Sequence, residues 1–210
     1  LIRGKLIAPF KWQWLLVIFL VICQGLMGWY MVRSGLVDRP SVSHFRLASH
    51  LVLALVIYSI VCWHYLRQRF SGTKINTGLN RLIISVFSLS WLQIIYGAFT
   101  AGLDGGKYYN TYPKMGGDWL PESAFMYDGG IIGNLLTNPI MVQWIHRWLA
   151  VILVVLSIYL IRCCIDSGRL GLQYSGLLLL AVIFFQFILG VTTLISGVWL
   201  PVAVMHQFGG

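Results

Sequence analysis

Five histidines, His44, His50, His64, His146 and His206, stand in a chain of 210 residues of which only 10% are charged. In so apolar a background an ionisable or ligating side chain is expensive to keep, and by default functional. Distance from helix-start signals sorts them by depth. His50 lies seven residues past Ser43, a capping residue type, His146 seven past Pro139, which follows the cap Asn138, and His206 five past Pro201. At 1.5 Å per residue these positions are about 10, 10 and 8 Å into their helices. His64 lies 14 residues beyond His50, about 21 Å deeper, and His44 sits at the loop edge. Two neutral imidazoles facing each other across a bundle suit the axial positions of a haem iron. A zinc site would recruit Cys, Asp or Glu at close spacing, and none is available at that depth. Arg46, one turn above His50, and Arg147, beside His146, are placed to meet haem propionates.

The elements that carry these residues are membrane spans. A bilayer core of about 30 Å takes about 20 apolar residues of helix. There are 21 uncharged residues between Lys11 and Arg33, 20 between Arg46 and Arg67, and 22 between Arg81 and Asp104. A fourth stretch runs from Asn138 to Arg162 with Arg147 near its start, a fifth span falls at about 173–198, and a sixth helix starts at Pro201. Lipid cannot satisfy bare backbone groups, so the spans are helices and the expected fold is an all-α polytopic membrane protein. Hydrophobic residues make up 58% of the chain, which excludes a disordered polymer, a nucleic-acid binder working through a basic patch, and an ordinary cytosolic enzyme.

The net charge of +9 sets topology rather than a partner. Segments 1–11, 67–81 and 162–169 hold Arg3, Lys5, Lys11, Arg67, Arg69, Lys74, Arg81, Arg162 and Arg169 against Asp166 alone, a net +8. The other side holds six basic and five acidic residues, a net +1. The first group belongs in the cytoplasm or matrix, and loops 33–46 and 104–138 face the periplasm or intermembrane space. Trp12 and Trp14 then mark the inner boundary and Trp29, Tyr30 and Trp199 the outer one. In loop 104–138, Tyr108, Tyr109, Tyr112, Trp119, Phe125 and Tyr127 suit either a cap over a ligand edge or headgroup anchoring. Cys23, Cys62, Cys163 and Cys164 all lie in spans or at their inner ends, and read as small apolar residues rather than a disulfide framework.

An internal repeat links the ends of the chain. Gln24 and Gly28 are followed by Ser34-Gly35 and then His50; Gln186 and Gly190 are followed by Ser196-Gly197 and then His206. A third Gln-x-x-x-Gly runs from Gln93 to Gly97. Gly25, Gly28, Gly97 and Gly190 are expected to serve mainly close helix packing. If the repeat unit is four helices with histidines on its second and fourth, 82–210 is nearly one unit and 12–66 the last two helices of another. The chain begins at Leu1 rather than Met and stops at Gly210 soon after its last helix begins, so a piece of a longer protein is expected.

Four blocks resemble the haem A synthase family, in its proteobacterial and mitochondrial branch. They are Gln24 to His50, Gly97 to Gly116, Asn138 to Arg147, and Met205-His206-Gln207. The resemblance implies two pseudo-repeated four-helix bundles, eight helices in the full protein and about five and a half here. It divides the chain into 1–66, the last two helices of a substrate-haem half, a cytoplasmic or matrix loop 67–81, and 82–210, a half that binds haem b. It implies oxidation of a ring methyl of haem O to the formyl of haem A by successive hydroxylations, for cytochrome oxidase. His146 and His206 match the haem b ligands, and His50 matches a histidine on the substrate-haem side. The family's first two helices, most of its eighth and its catalytic glutamate have no counterpart here, so no catalytic residue is assigned and this stretch alone is expected to be inactive. Haem O synthase as donor of haem O, an unidentified electron donor, membrane lipid and self-association complete the implied partners, with no nucleic acid. The implied location is the bacterial cell membrane or the mitochondrial inner membrane. A bis-histidine cytochrome b that only transfers electrons is the alternative, and a transporter built on the repeat has less support.

Overall fold

A computed structural model describes residues 11–35, 42–69 and 75–210. Arg3, Lys5, Asp38, Arg39 and Lys74 of the charge pattern lie outside the described residues. The described residues are helical, without a β-strand: α1 Lys11–Gly35, α2 His44–Arg69, α3 Thr77–Gly102, α4 Gly130–Thr137, α5 Pro139–Asp166, α6 Leu170–Ile195 and α7 Leu200–Gly209. Five of these, α1, α2, α3, α5 and α6, are long and apolar enough to cross a membrane. The chain is an all-α polytopic membrane protein.

The helices outrun the uncharged stretches because basic residues are tolerated where a span reaches the headgroups. Thus α2 runs through Arg67 to Arg69 and α5 through Arg162 to Asp166. The fifth span is Leu170–Ile195, not 173–198. Gly168, at φ 67°, stops α5 and leaves only Arg169 before the next helix. At its other end the amides of Gly197 and Val198 close back on the carbonyls of Leu194 and Thr193, with Gly197 at φ 68°. Loop 104–138 is more structured than its composition suggests. It contains 3₁₀ turns at Gly105–Lys107 and Glu122–Phe125, and the helix α4.

The chain divides between Lys74 and Ile75 into two compact units. In the first, α1 packs on α2, and Ala48 and His64 are its buried residues among those described. In the second, α5 lies between α3 and α6, and α7 folds back on α6. Leu79 and Val86 of α3 meet Leu153, Leu160, Ile161 and Cys164 of α5 in an apolar core, with Leu180 and Ile183 of α6 against it. Gly176 lets α6 approach so closely that a Cβ there would stand 3.1 Å from Ile161 Cδ1 and 3.3 Å from Cys164 Sγ. Cys164 is therefore a packing residue, and all four cysteines are free thiols. This core fills the half of the unit away from the 104–138 loop; nearer the loop the polar side chains of Asn134, Asn138, Gln143 and Arg147 are buried among apolar ones such as Phe99, Met141 and Val142.

Candidate functional site

The start of α5 is fixed by a polar cluster. The Asn138 side-chain oxygen accepts the Ile140 N–H at 2.9 Å, capping the helix, and Pro139 takes the first position, as expected. The Asn138 amide donates in turn to the carbonyls of Ser123 and Ala124 and to Asn134 Oδ1, tying the loop and α4 to the helix start. Two turns into α5, Arg147 is only 8% exposed. Its guanidinium donates to the backbone oxygens of Tyr109 and Thr111, each at 2.6 Å. Gln143, one turn before it and 2% exposed, also donates to Tyr109 O, at 3.1 Å. The Trp144 indole N–H reaches Trp119 O at 2.8 Å. The loop is thereby strapped across the end of α5, and Asn110 bonds it to Leu194 O of α6. Tyr112 packs edge-on to Phe187, and burial pushes its phenol pKa up against the lowering effect of Arg147.

Beneath this strap lie His146 and His206. Their ring centroids are 6.5 Å apart, with the planes inclined at 69°. Metal–imidazole bonds of about 2 Å on opposite sides of one ion separate ring centroids by roughly 6 Å, so the spacing fits a pair of axial ligands. The His206 Nδ1–H donates to Gln186 Oε1 at 3.1 Å, which leaves its Nε2 lone pair for a metal. Gln93 holds His146 from α3, its amide nitrogen 3.1 Å from Nδ1. Among the described residues no three His, Cys, Asp or Glu side chains gather into a metal cage. Arg147 keeps one buried donor, Nε–H, without a hydrogen-bond partner. The sequence placed this arginine at a propionate; the structure commits both guanidinium termini to the loop and leaves Nε for an anion.

In the first unit His50 meets Gln24, whose amide nitrogen lies 3.3 Å from His50 Nε2 and donates to His50 O at 3.1 Å. Arg46 lies over the Tyr30 ring at 4.8 Å. His64 packs near Trp14, with ring centroids 6.3 Å apart, and His44 lies against Phe45.

The glycines require a correction. Gly25 has nothing near it, but a Cβ on Gly28, Gly97 or Gly190 would stand 3.3, 3.1 or 2.9 Å from Cε1 of His50, His146 or His206. Three of the four glycines assigned to helix packing instead make room for an imidazole. The signal was present in the sequence as the threefold Gln-x-x-x-Gly. What spacing along one helix did not reveal was which neighbouring side chain the motif receives.

The COX15-CtaA family model, described as a cytochrome oxidase assembly protein, matches residues 1–210. The chain belongs to this family. The heme A synthase of Pelagibacter ubique is 39% identical over 199 residues, covering 95% of this chain and 58% of that protein. The heme A synthase of Anaplasma marginale (strain Florida) is 40% identical over 203 residues, 93% of this chain and 56% of that protein. Bovine heme A synthase COX15 is 37% identical over 220 residues, 99% of this chain and 53% of that protein. The chain thus spans a little over half the length of these curated relatives. No solved structure matches it.

Proposed function

We propose that this COX15-CtaA chain is the haem-holding part of a heme A synthase, an oxidoreductase that converts a ring methyl of haem O to the formyl of haem A. Haem b is held between His146 and His206, and the substrate haem O is met by the unit that carries His50. The observation that carries this is the pair of imidazoles on α5 and α7 at 6.5 Å, under a loop strapped to α5 by Arg147. The relatives' names support the activity.

His146 and His206 would hold the haem, which would supply one-electron transfer there. The chain's own residues do the rest. His146 and His206 would orient the cofactor, and Gln93 and Gln186 bond to their imidazoles. Arg147 Nε–H would meet a propionate, and Arg46, over the Tyr30 ring, would take the corresponding role near His50. The strapped loop keeps water from that end of the bundle. Haem O synthase is the natural source of substrate, and a separate electron donor serves the haem b side. The charge asymmetry supports a bacterial cell membrane or mitochondrial inner membrane, with the 104–138 loop on the periplasmic or intermembrane-space face.

Optical spectra of the full-length protein in oxidised and reduced forms test this. A low-spin bis-histidine haem is expected, and it is lost in His146→Ala and in His206→Ala. Its absence from the parent, or its survival in both variants, overturns the proposal.

A further inference from the structure

The same three-part device is built three times. A glutamine and a glycine four residues apart share one face of a helix, and the histidine of a neighbouring helix lies between them. The pairs are Gln24 and Gly28 with His50, Gln93 and Gly97 with His146, and Gln186 and Gly190 with His206. The glycine removes the Cβ that would strike the imidazole, and the carboxamide then reaches a ring nitrogen.

We propose that Gln93 and Gln186 are positioning residues that fix the tautomer of the two iron-binding imidazoles and thereby set the reduction potential of the iron. This rests on the proposal that haem b is held by His146 and His206. At Gln186 the contact is explicit: Oε1 accepts from His206 Nδ1, so Nε2 is the unprotonated nitrogen and is available to a metal. At Gln93 the amide nitrogen lies 3.1 Å from Nδ1 and 3.4 Å from Nε2 of His146, while Oε1 is buried without a partner. A half-turn of the carboxamide sets Oε1 against Nδ1 as an acceptor and moves the amide nitrogen to the buried place that Oε1 leaves. Both imidazoles then present Nε2, each backed by an acceptor on Nδ1–H. Such an acceptor makes the ring more electron-donating and favours ferric over ferrous iron. Plain interhelical hydrogen bonding would use the same amides, but would affect stability and not potential.

Potentiometric titration of the full-length protein distinguishes these roles. Gln186→Leu removes the acceptor and should raise the midpoint potential, with haem affinity falling about 10–100-fold. Gln186→Glu keeps an acceptor and strengthens it, and should restore the affinity and bring the potential below the parent's. Gln173→Leu, on the same helix but bonded only to Ile165 O at its other end, should leave the potential unchanged. If Gln186→Leu holds no haem, the downward shift in Gln186→Glu carries the test alone. A parent haem with bis-histidine spectra, and a potential that neither variant moves or that both move alike, overturns this inference and leaves the proposed function intact. A parent without such a haem overturns both.

Discussion

The two units use one sequence device to present histidine differently. In the second unit Gln186 Oε1 meets His206 Nδ1 and leaves Nε2 clear, while the Gln93 amide lies 3.1 Å from Nδ1 and 3.4 Å from Nε2 of His146, whose ring centroid is 6.5 Å from that of His206. In the first, the Gln24 amide lies against His50 Nε2 itself, and His50 Nδ1 is buried without a partner. The second unit also has a packed apolar core and a loop strapped over the site, whereas α1 and α2 bury little besides Ala48 and His64 among the described residues. On the proposed function, an imidazole held through Nδ1 with Nε2 clear, as at His206, suits a resident cofactor. One whose ligating nitrogen is satisfied by an amide until displaced suits a substrate that must arrive and leave.

The sharpest break in this comparison comes from His50. His50→Ala should abolish conversion of haem O in the full-length protein, measured by haem extraction and chromatography, while the bis-histidine spectrum stays intact. Loss of that spectrum would mean that the two units do not hold separate haems. Arg147→Met should come next, destabilising the protein by about 2–3 kcal/mol, since it strands the Thr111 carbonyl beneath the loop and leaves Tyr109 O only the Gln143 amide. Thermal unfolding in detergent and proteolysis within 104–138 would register it. Arg147→Lys should recover little, because an ammonium lacks the planar fork that reaches both oxygens. Smaller effects are expected from the glycines. Gly190→Ala, Gly97→Ala and Gly28→Ala should cost about 1–3 kcal/mol in that descending order, following Cβ clearances of 2.9, 3.1 and 3.3 Å. The first two should also shift the haem b electron paramagnetic resonance signal, and the third should not. Gly25→Ala has nothing to strike and should stabilise α1 by about 1 kcal/mol.

Much of the fold was legible in the sequence because lipid imposes it. A backbone crossing hydrocarbon must be helical, so uncharged runs became helices, and the Asn138-Pro139 signal gave the start of α5 to the residue. The boundaries moved where charges snorkel, at Arg67 and Arg162, and where Gly168 tightened the turn into α6. Helix α4 escaped notice because eight residues among glycines and aromatics carry too little periodicity to separate from loop.

The candidate histidines were legible for a related reason. Rise per residue converts spacing into depth, which brought His146 and His206 to one level before any contact was known. Depth carries no information about direction around the helix axis or about partners on other helices. The fit of Gly28, Gly97 and Gly190 against imidazoles, the amides at their nitrogens, and the commitment of Arg147 to loop carbonyls therefore came only from tertiary structure. Residue type and spacing along the chain determined which groups are available at which height in the membrane. The packing of α3, α5, α6 and α7 decided which of them meet, because contacts between helices depend on rotations and approaches that no single helix encodes.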